Sequence, residues 1–194
     1  MTEVRVQVNK KYIPYLVKDK PRTQIFFGGA SSGKSVFLSQ RTVLDVLRGG
    51  RNYLVVRNVA KTLRASAFTE ITKVIREAGL SLFFKINKGG MVITCYNGYQ
   101  ILFAGLDDVE KLKSMTPEKG VLTDIWLEEA TEMAESDVKQ LYKRLRGTST
   151  HYKRVTLSFN PILKTHWIYK RYFSAWTDSS KKHEDPDVCI LKTT

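Results

Sequence analysis

At 194 residues, with 42% hydrophobic and 26% charged residues and no low-complexity tract or internal repeat, the chain has the length and composition of a single folded α/β unit, which excludes a disordered or fibrous polypeptide. Its 32 Lys and Arg against 19 Asp and Glu give a formal charge of +13, which favours a polyanionic partner such as DNA, RNA or an acidic membrane, although a basic surface kept for solubility has the same signature. No apolar run approaches the ~18 residues of a membrane span, the start MTEVRVQVNKKYIP lacks a signal-peptide core, and Cys95 and Cys189 stand apart without metal-type spacing, so an intracellular, reducing setting is expected.

After a basic leading segment, residues 1–22, the run Thr23 to Phe27 (TQIFF) stops at Gly28-Gly29 and reads as a buried strand ending in a turn. From Lys34 to Leu47, the residues Val36, Phe37, Val43, Leu44 and Leu47 recur at helical intervals until Gly49-Gly50. Asn52 to Val56 reads as a second buried strand. Thr62 to Ala78 reads as a helix with Leu63, Ala67, Ile71, Val74, Ile75 and Ala78 on one side. LFFKIN, MVITCY and YQILFAG follow, separated by Lys88-Gly89-Gly90 and Asn97-Gly98, both hairpin signals, so an antiparallel insert or edge is expected. VLTDIWL precedes Glu128-Glu129, a helix spans about Ser136 to Leu145, and RVTLSFNP is a strand ending at proline. Asp178 to Pro186 reads as an exposed loop before a last strand, VCILKT. Cys95 and Cys189 fall in such strands and read as buried structural thiols.

The chemistry concentrates in Gly28-Gly29-Ala30-Ser31-Ser32-Gly33-Lys34-Ser35, which fits G-x-x-x-x-G-K-[ST] between an expected strand and an expected helix. Glycines let backbone N–H groups turn inward around phosphate oxygens, and the helix N-terminus at Val36 adds positive potential. Lys34 reaches the β and γ phosphates, and Ser35 can bind Mg²⁺. Such a loop needs an acid at the end of a neighbouring buried strand. Glu128 as a Mg²⁺ residue and Glu129 as the residue that polarises water fill that place; a dipole-stabilised charge pair at a helix start is the bland alternative. Asn160, at the end of RVTLSF, lies where ligands bind in parallel α/β sheets and is a candidate γ-phosphate sensor, unless it is only an Asn-Pro turn.

GGASSGKS, then WLEEA, then SFNP, with VVRN, LRASAF and LYKRLRG between and around them, resemble the large subunit of tailed-bacteriophage terminases over most of the chain. The resemblance implies a P-loop NTPase of RecA-like type: a mainly parallel sheet flanked by helices with an antiparallel hairpin extension, in one motor domain. It implies ATP and Mg²⁺ as ligands, Gly29 to Val36 around the phosphates, Ser35 and Glu128 on the metal, Glu129 and Lys34 in catalysis, and Ser158 to Asn160 in a coupling segment. The implied partners are double-stranded DNA, the portal protein ring, the small terminase subunit and further copies of the chain in a ring. The implied setting is the host cytoplasm, docked transiently on the procapsid. Relatives carry a nuclease domain after the motor; with the sequence ending at Lys192-Thr193-Thr194, nuclease activity is not expected here.

Two departures stand out. Many relatives have an arginine in the loop, as in GGRGSGKS, where this chain has Ala30 and Ser31, so a transition-state arginine must come from elsewhere or from a neighbouring subunit. The usual Asp of the acidic pair is Glu128 here. Asn9 and Tyr12 are candidates for contact with the nucleotide base, or else the arm packs Tyr12 and Tyr15 on the core. Lys111, Lys113, Lys143, Arg144 and Arg146 are candidates for DNA or neighbour contacts, with a solvated basic face as the alternative. Two other functions fit the same residues: another RecA-like DNA-dependent ATPase, such as a helicase or recombination ATPase, and a nucleotide-gated DNA-binding or assembly module with little turnover.

Overall fold

The computed structural model describes residues 6–174, 176 and 183–193, apart from the side chain of Val109. Residues 1–5 of the leading segment and 178–182 of the expected loop lie outside that set.

Among the described residues eight strands form one sheet: β1 (Thr23–Gly28), β2 (Tyr53–Arg57), β3 (Phe84–Asn87), β4 (Val92–Cys95), β5 (Gln100–Gly105), β6 (Asp124–Glu128), β7 (Arg154–Phe159) and β8 (Val188–Thr193). Their order is β3-β4-β5-β2-β6-β7-β1-β8. Six strands, from β5 to β8, pair in parallel, and the β3 and β4 hairpin legs join β5 antiparallel, as the Gly-rich turns predict. Because β6 and β7 insert between β1 and β2, the carboxyl ends of β1, β6 and β7 lie side by side, where open parallel sheets bind ligands.

The parallel strands are apolar on both faces, as helices on both sides require. In β1, Phe26 joins one core and Ile25 the other. The first core takes α1 (Lys34–Arg48) through Phe37, Leu38, Val43 and Val46. It also takes the helical arm after β2, through Leu63, Ala67, Ile71, Val74 and Ile75. The arm expected as one helix is continuous in burial but uneven in winding: α2 (Ala60–Leu63), a π-helical turn at Arg64–Phe68, then α3 (Thr69–Glu77). The second core takes Leu112 of α4 (Val109–Ser114), Val138 and Leu141 of α5 (Glu135–Tyr142), and Ile168 and Tyr172 of α6 (Trp167–Tyr172).

Opposite the carboxyl ends, a buried ionic cluster ties the strand starts together. Asp124, at the head of β6, accepts from Arg154 Nε at 2.6 Å and from Arg51 Nη1 at 2.8 Å. Asp45 of α1 accepts from Arg154 and from the Tyr53 hydroxyl. Arg41 donates to Gln24 at 2.6 Å and to Thr156 at 2.7 Å. Asp124, Asp45, Arg154 and Arg51 are paired and hydrogen-bonded, as charges this deeply buried require, whereas the Arg41 guanidinium is held by the neutral Gln24 and Thr156 side chains. Cys95 is buried, Cys189 is half-buried, and both are free thiols.

Candidate functional site

The loop between β1 and α1 is shaped by its glycines and by what packs behind it. Gly33 caps α1 with φ +82° and Ser31 has φ 64°, left-handed conformations that turn successive N–H groups toward one side. A Cβ at Gly28 would lie 1.8 Å from the Thr193 carbonyl oxygen, so only glycine lets β8 run this close to the loop. Thr193 Oγ1 reaches Ser32 Oγ at 2.9 Å and donates to the Phe27 carbonyl at 3.0 Å.

The leading segment also braces the loop. Its 3₁₀ turn Lys10–Tyr15 puts the Tyr12 ring flat on Phe37, centroids 4.5 Å apart, and the Tyr12 hydroxyl donates to the Ser32 carbonyl at 2.8 Å. Tyr12 is 1% exposed and Tyr15 stands edge-on to Phe26, so of the two readings of this arm the structure has the one in which it packs on the core. Asn9 is spent on its own turn, its Oδ1 accepting the Lys11 N–H at 3.2 Å.

A cleft of about 290 Å³ opens over the loop, lined by Ala30, Ser31, Ser32, Gly33, Lys34, Ser35, Val36, Glu129, Ser158 and Asn160. Three separate stretches of sequence thus meet at the ends of three adjacent strands. Lys34 Nζ donates to the carbonyls of Gly28 at 2.7 Å and Gly29 at 3.0 Å, and contacts Ser32 Oγ at 3.2 Å and Asn160 Oδ1 at 3.3 Å. Ser158 Oγ accepts from the Trp126 indole at 2.9 Å, which links the floor of the cleft to the core.

The two acids part company at the end of β6. Glu129 has φ 50° and ψ 53°, a left-handed conformation uncommon outside glycine, and that turn sends its side chain into the cleft. Glu128 is not among the residues lining the cleft. It is 6% exposed and lies on the side of the sheet bearing the helical arm, where its Oε2 accepts from Ser66 Oγ at 2.6 Å. Burial pushes both carboxyls above the usual range. For Glu128, the Ser66 hydroxyl and Arg57 pull back; for Glu129, Arg57 and Lys34 pull back while Glu132 pushes further up. Burial lowers Lys34, and Glu129 opposes that shift.

Arg57, at the end of β2, was visible in the sequence only as part of VVRN. It forks onto Glu132 at 3.1 and 3.3 Å, in the turn just after the acidic pair. Arg144 is also placed differently from a free basic side chain: its guanidinium donates to the Lys113 carbonyl at 2.6 Å and to the Met115 carbonyl, closing the end of α4. Lys143 and Arg146 are exposed, Lys113 pairs with Glu110 at 3.1 Å, and Lys111 is half-buried.

The donor set suits a nucleotide polyphosphate: inward N–H groups at a helix start, one lysine and small side chains that leave room for oxygens. Among the described residues no three His, Cys, Asp or Glu side chains cluster as a metal cage.

The family model described as phage terminase large subunit matches residues 20–194. The chain belongs to that family. It is 30% identical over 167 residues to the PBSX phage terminase large subunit of Bacillus subtilis (strain 168), covering 86% of this chain and 37% of that one. The large terminase of a thermophilic bacteriophage, solved in complex with ADP, superposes with a TM-score of 0.70 at 19% identity, over 96% of this chain and 46% of that one. The large terminase ATPase domain of Thermus phage P74-26 superposes with a TM-score of 0.64 at 15% identity, over 97% of this chain and 86% of that one. The eight-stranded, mostly parallel sheet is thus the RecA-like fold of large terminase ATPase domains. The chain spans less than half the length of the PBSX protein and of the ADP-bound terminase. No helix among the described residues is long and apolar enough to cross a membrane.

Proposed function

We propose that this chain is an ATPase motor domain that hydrolyses Mg-ATP to move double-stranded DNA into a viral procapsid. The observation that supports it most is the meeting of Lys34 and Glu129 in one cleft over the glycine loop. The N–H groups of the loop and Lys34 hold the β and γ phosphates. Glu129 accepts a hydrogen bond from the attacking water, orienting and polarising it; a carboxyl raised by burial is better matched to that proton than a solvated one. Ser35 and Glu128 would hold Mg²⁺, which when bound neutralises charge on the phosphate oxygens. Asn160, bonded to Lys34 and sitting at the end of β7, is suited to report on the γ phosphate.

The family relation and the charge of +13 support duplex DNA as the substrate track, with the portal ring, the small terminase subunit and further copies of the chain as partners. The loop has no arginine, so charge on the transferring phosphoryl group is met in part by a neighbouring copy, with Arg146 the exposed candidate. The test is phosphate release over many turnovers, with and without linear duplex DNA, across protein concentration. Mg²⁺-dependent turnover that DNA stimulates and that rises per chain with concentration is expected. Absence of multiple turnover would make the chain a nucleotide-gated binding module, and strand displacement would make it a helicase.

A further inference from the structure

The helical arm after β2 loses its regular winding where it passes the acidic pair. Residues Arg64–Phe68 form a π-helical turn, a rare conformation frequent at functional sites, in which backbone groups are displaced from their usual acceptors. Thr69 Oγ1 stitches the distortion by donating to the Arg64 carbonyl, five residues back, at 2.7 Å. Ser66 Oγ has two acceptors in reach, the Thr62 carbonyl at 3.0 Å and Glu128 Oε2 at 2.6 Å. A hydroxyl has one proton to give. The carboxylate takes it, since charge-assisted O–H···O⁻ bonds are the short ones, about 2.5–2.7 Å. Glu128 is thus held by a hydroxyl of this irregular turn, 62 residues away in sequence.

We propose that this π-helical turn is a carboxylate clamp, and that Ser66 is a positioning residue for the metal site: it engages Glu128 Oε2 and leaves Oε1 to the divalent cation or its water shell. The inference rests on the reading of Glu128 as the Mg²⁺ residue.

The test measures binding, not turnover: the affinity of a fluorescent ADP analogue for the full chain, titrated with Mg²⁺, with a thermal melt on each variant. Ser66→Ala should raise the Mg²⁺ midpoint about 10- to 100-fold, the usual cost of losing a partner of a metal ligand, while affinity in EDTA stays at the wild-type value. Ser66→Thr, which keeps the hydroxyl, should restore most of that loss. Thr69→Val removes a hydroxyl from the same turn without touching Glu128 and should leave the midpoint unmoved. If Ser66→Ala does not fold, Ser66→Cys, near in size but a weak donor, should shift the midpoint in the same direction. Equal shifts from Ser66→Ala and Thr69→Val would reduce the clamp to helix stitching and overturn it. A wild-type midpoint in Ser66→Ala alongside a raised one in Glu128→Gln would overturn the clamp and leave the metal assignment standing. A wild-type midpoint in Glu128→Gln would overturn the metal assignment itself, and the clamp with it.

Discussion

Lys34 Nζ lies 3.3 Å from Asn160 Oδ1, a contact that joins the glycine loop to the end of β7 across 126 residues of sequence. It is the longest of the four contacts that Lys34 makes, and Asn160 is exposed, so it is the one most readily exchanged for a phosphate oxygen. Asn160→Ala should leave nucleotide affinity close to wild type and lower kcat about tenfold, the lower end for losing a hydrogen bond to a charged group. Steady-state ATP turnover beside analogue binding separates the cases. A raised KM with unchanged kcat would mean that Asn160 contributes only uniform binding and senses nothing.

Glu129 is the acid that enters the cleft, and it does so through a left-handed backbone turn that costs energy for a residue with a side chain. Glu129→Gln keeps the shape and removes the charge. Binding of Mg-ATP should survive, while single-turnover hydrolysis falls by about 10² or more, in line with losing a general base. Lys34→Ala should weaken binding as well. If Glu129→Gln turns over near the wild-type rate and Glu128→Gln is inactive with normal Mg²⁺ dependence, the roles of the two acids are exchanged.

The difference between these two acids marks where the sequence stops being legible. Parallel strands were readable because runs such as TQIFF and NYLVV must be apolar on both faces, and the hairpin because Asn97-Gly98 and Lys88-Gly89-Gly90 demand tight turns. The glycine loop was readable because G-x-x-x-x-G-K-[ST] sets its glycines in a fixed local order. The roles of adjacent Glu128 and Glu129 were assigned from sequence, but their directions were not legible there, because they depend on the end of β6 and on the left-handed turn at Glu129. Nothing local announces the Ser66 contact or the π-helical turn, since both depend on β6 arriving beside the arm. The Tyr12 brace was readable as one of two options, and burial decides it. Asp124 inside VLTDIWL was a lone charge in an apolar run, a sign that buried cations would meet it, but Arg51 and Arg154 come from distant strand starts.

Arg144 and Arg146, two residues apart, should separate stability from cooperation between copies. Arg144 occupies the carbonyls of Lys113 and Met115 at the end of α4, where helix carbonyls have no internal partner. Arg144→Ala should therefore destabilise the chain by about 1–3 kcal/mol, seen as a fall in Tm of roughly 2–4 °C per kcal/mol. Arg146→Ala should leave Tm unchanged and flatten the rise of per-chain turnover with protein concentration. If that rise persists in Arg146→Ala, the arginine supplied in trans lies elsewhere.

Acid should weaken the ionic cluster at the strand starts. Burial pushes the Asp124 carboxyl up, but Arg154 and Arg51, with a hydrogen bond from Thr123, outweigh burial and hold it below the ordinary carboxylate value. A group whose folded-state pKa is depressed contributes stability that is fully present above its unfolded pKa, about 3.9 for Asp, and is lost as pH falls through the folded value. Melting temperature should therefore drop steeply below about pH 4, as Asp124 takes up a proton and leaves two buried guanidinium groups short of a counter-charge. Asp124→Asn places that loss at every pH. At neutral pH it should cost about 3–5 kcal/mol, the usual penalty for breaking one side of a buried pair, and it should flatten the acid limb of the Tm profile. The glycine loop lies at the far end of the strands, so a partly stable Asp124→Asn chain should still bind the fluorescent ADP analogue at low temperature. An Asp124→Asn profile that keeps the full wild-type acid limb would show that other carboxylates govern acid unfolding, and Asp124 would then be only a packing element of the cluster.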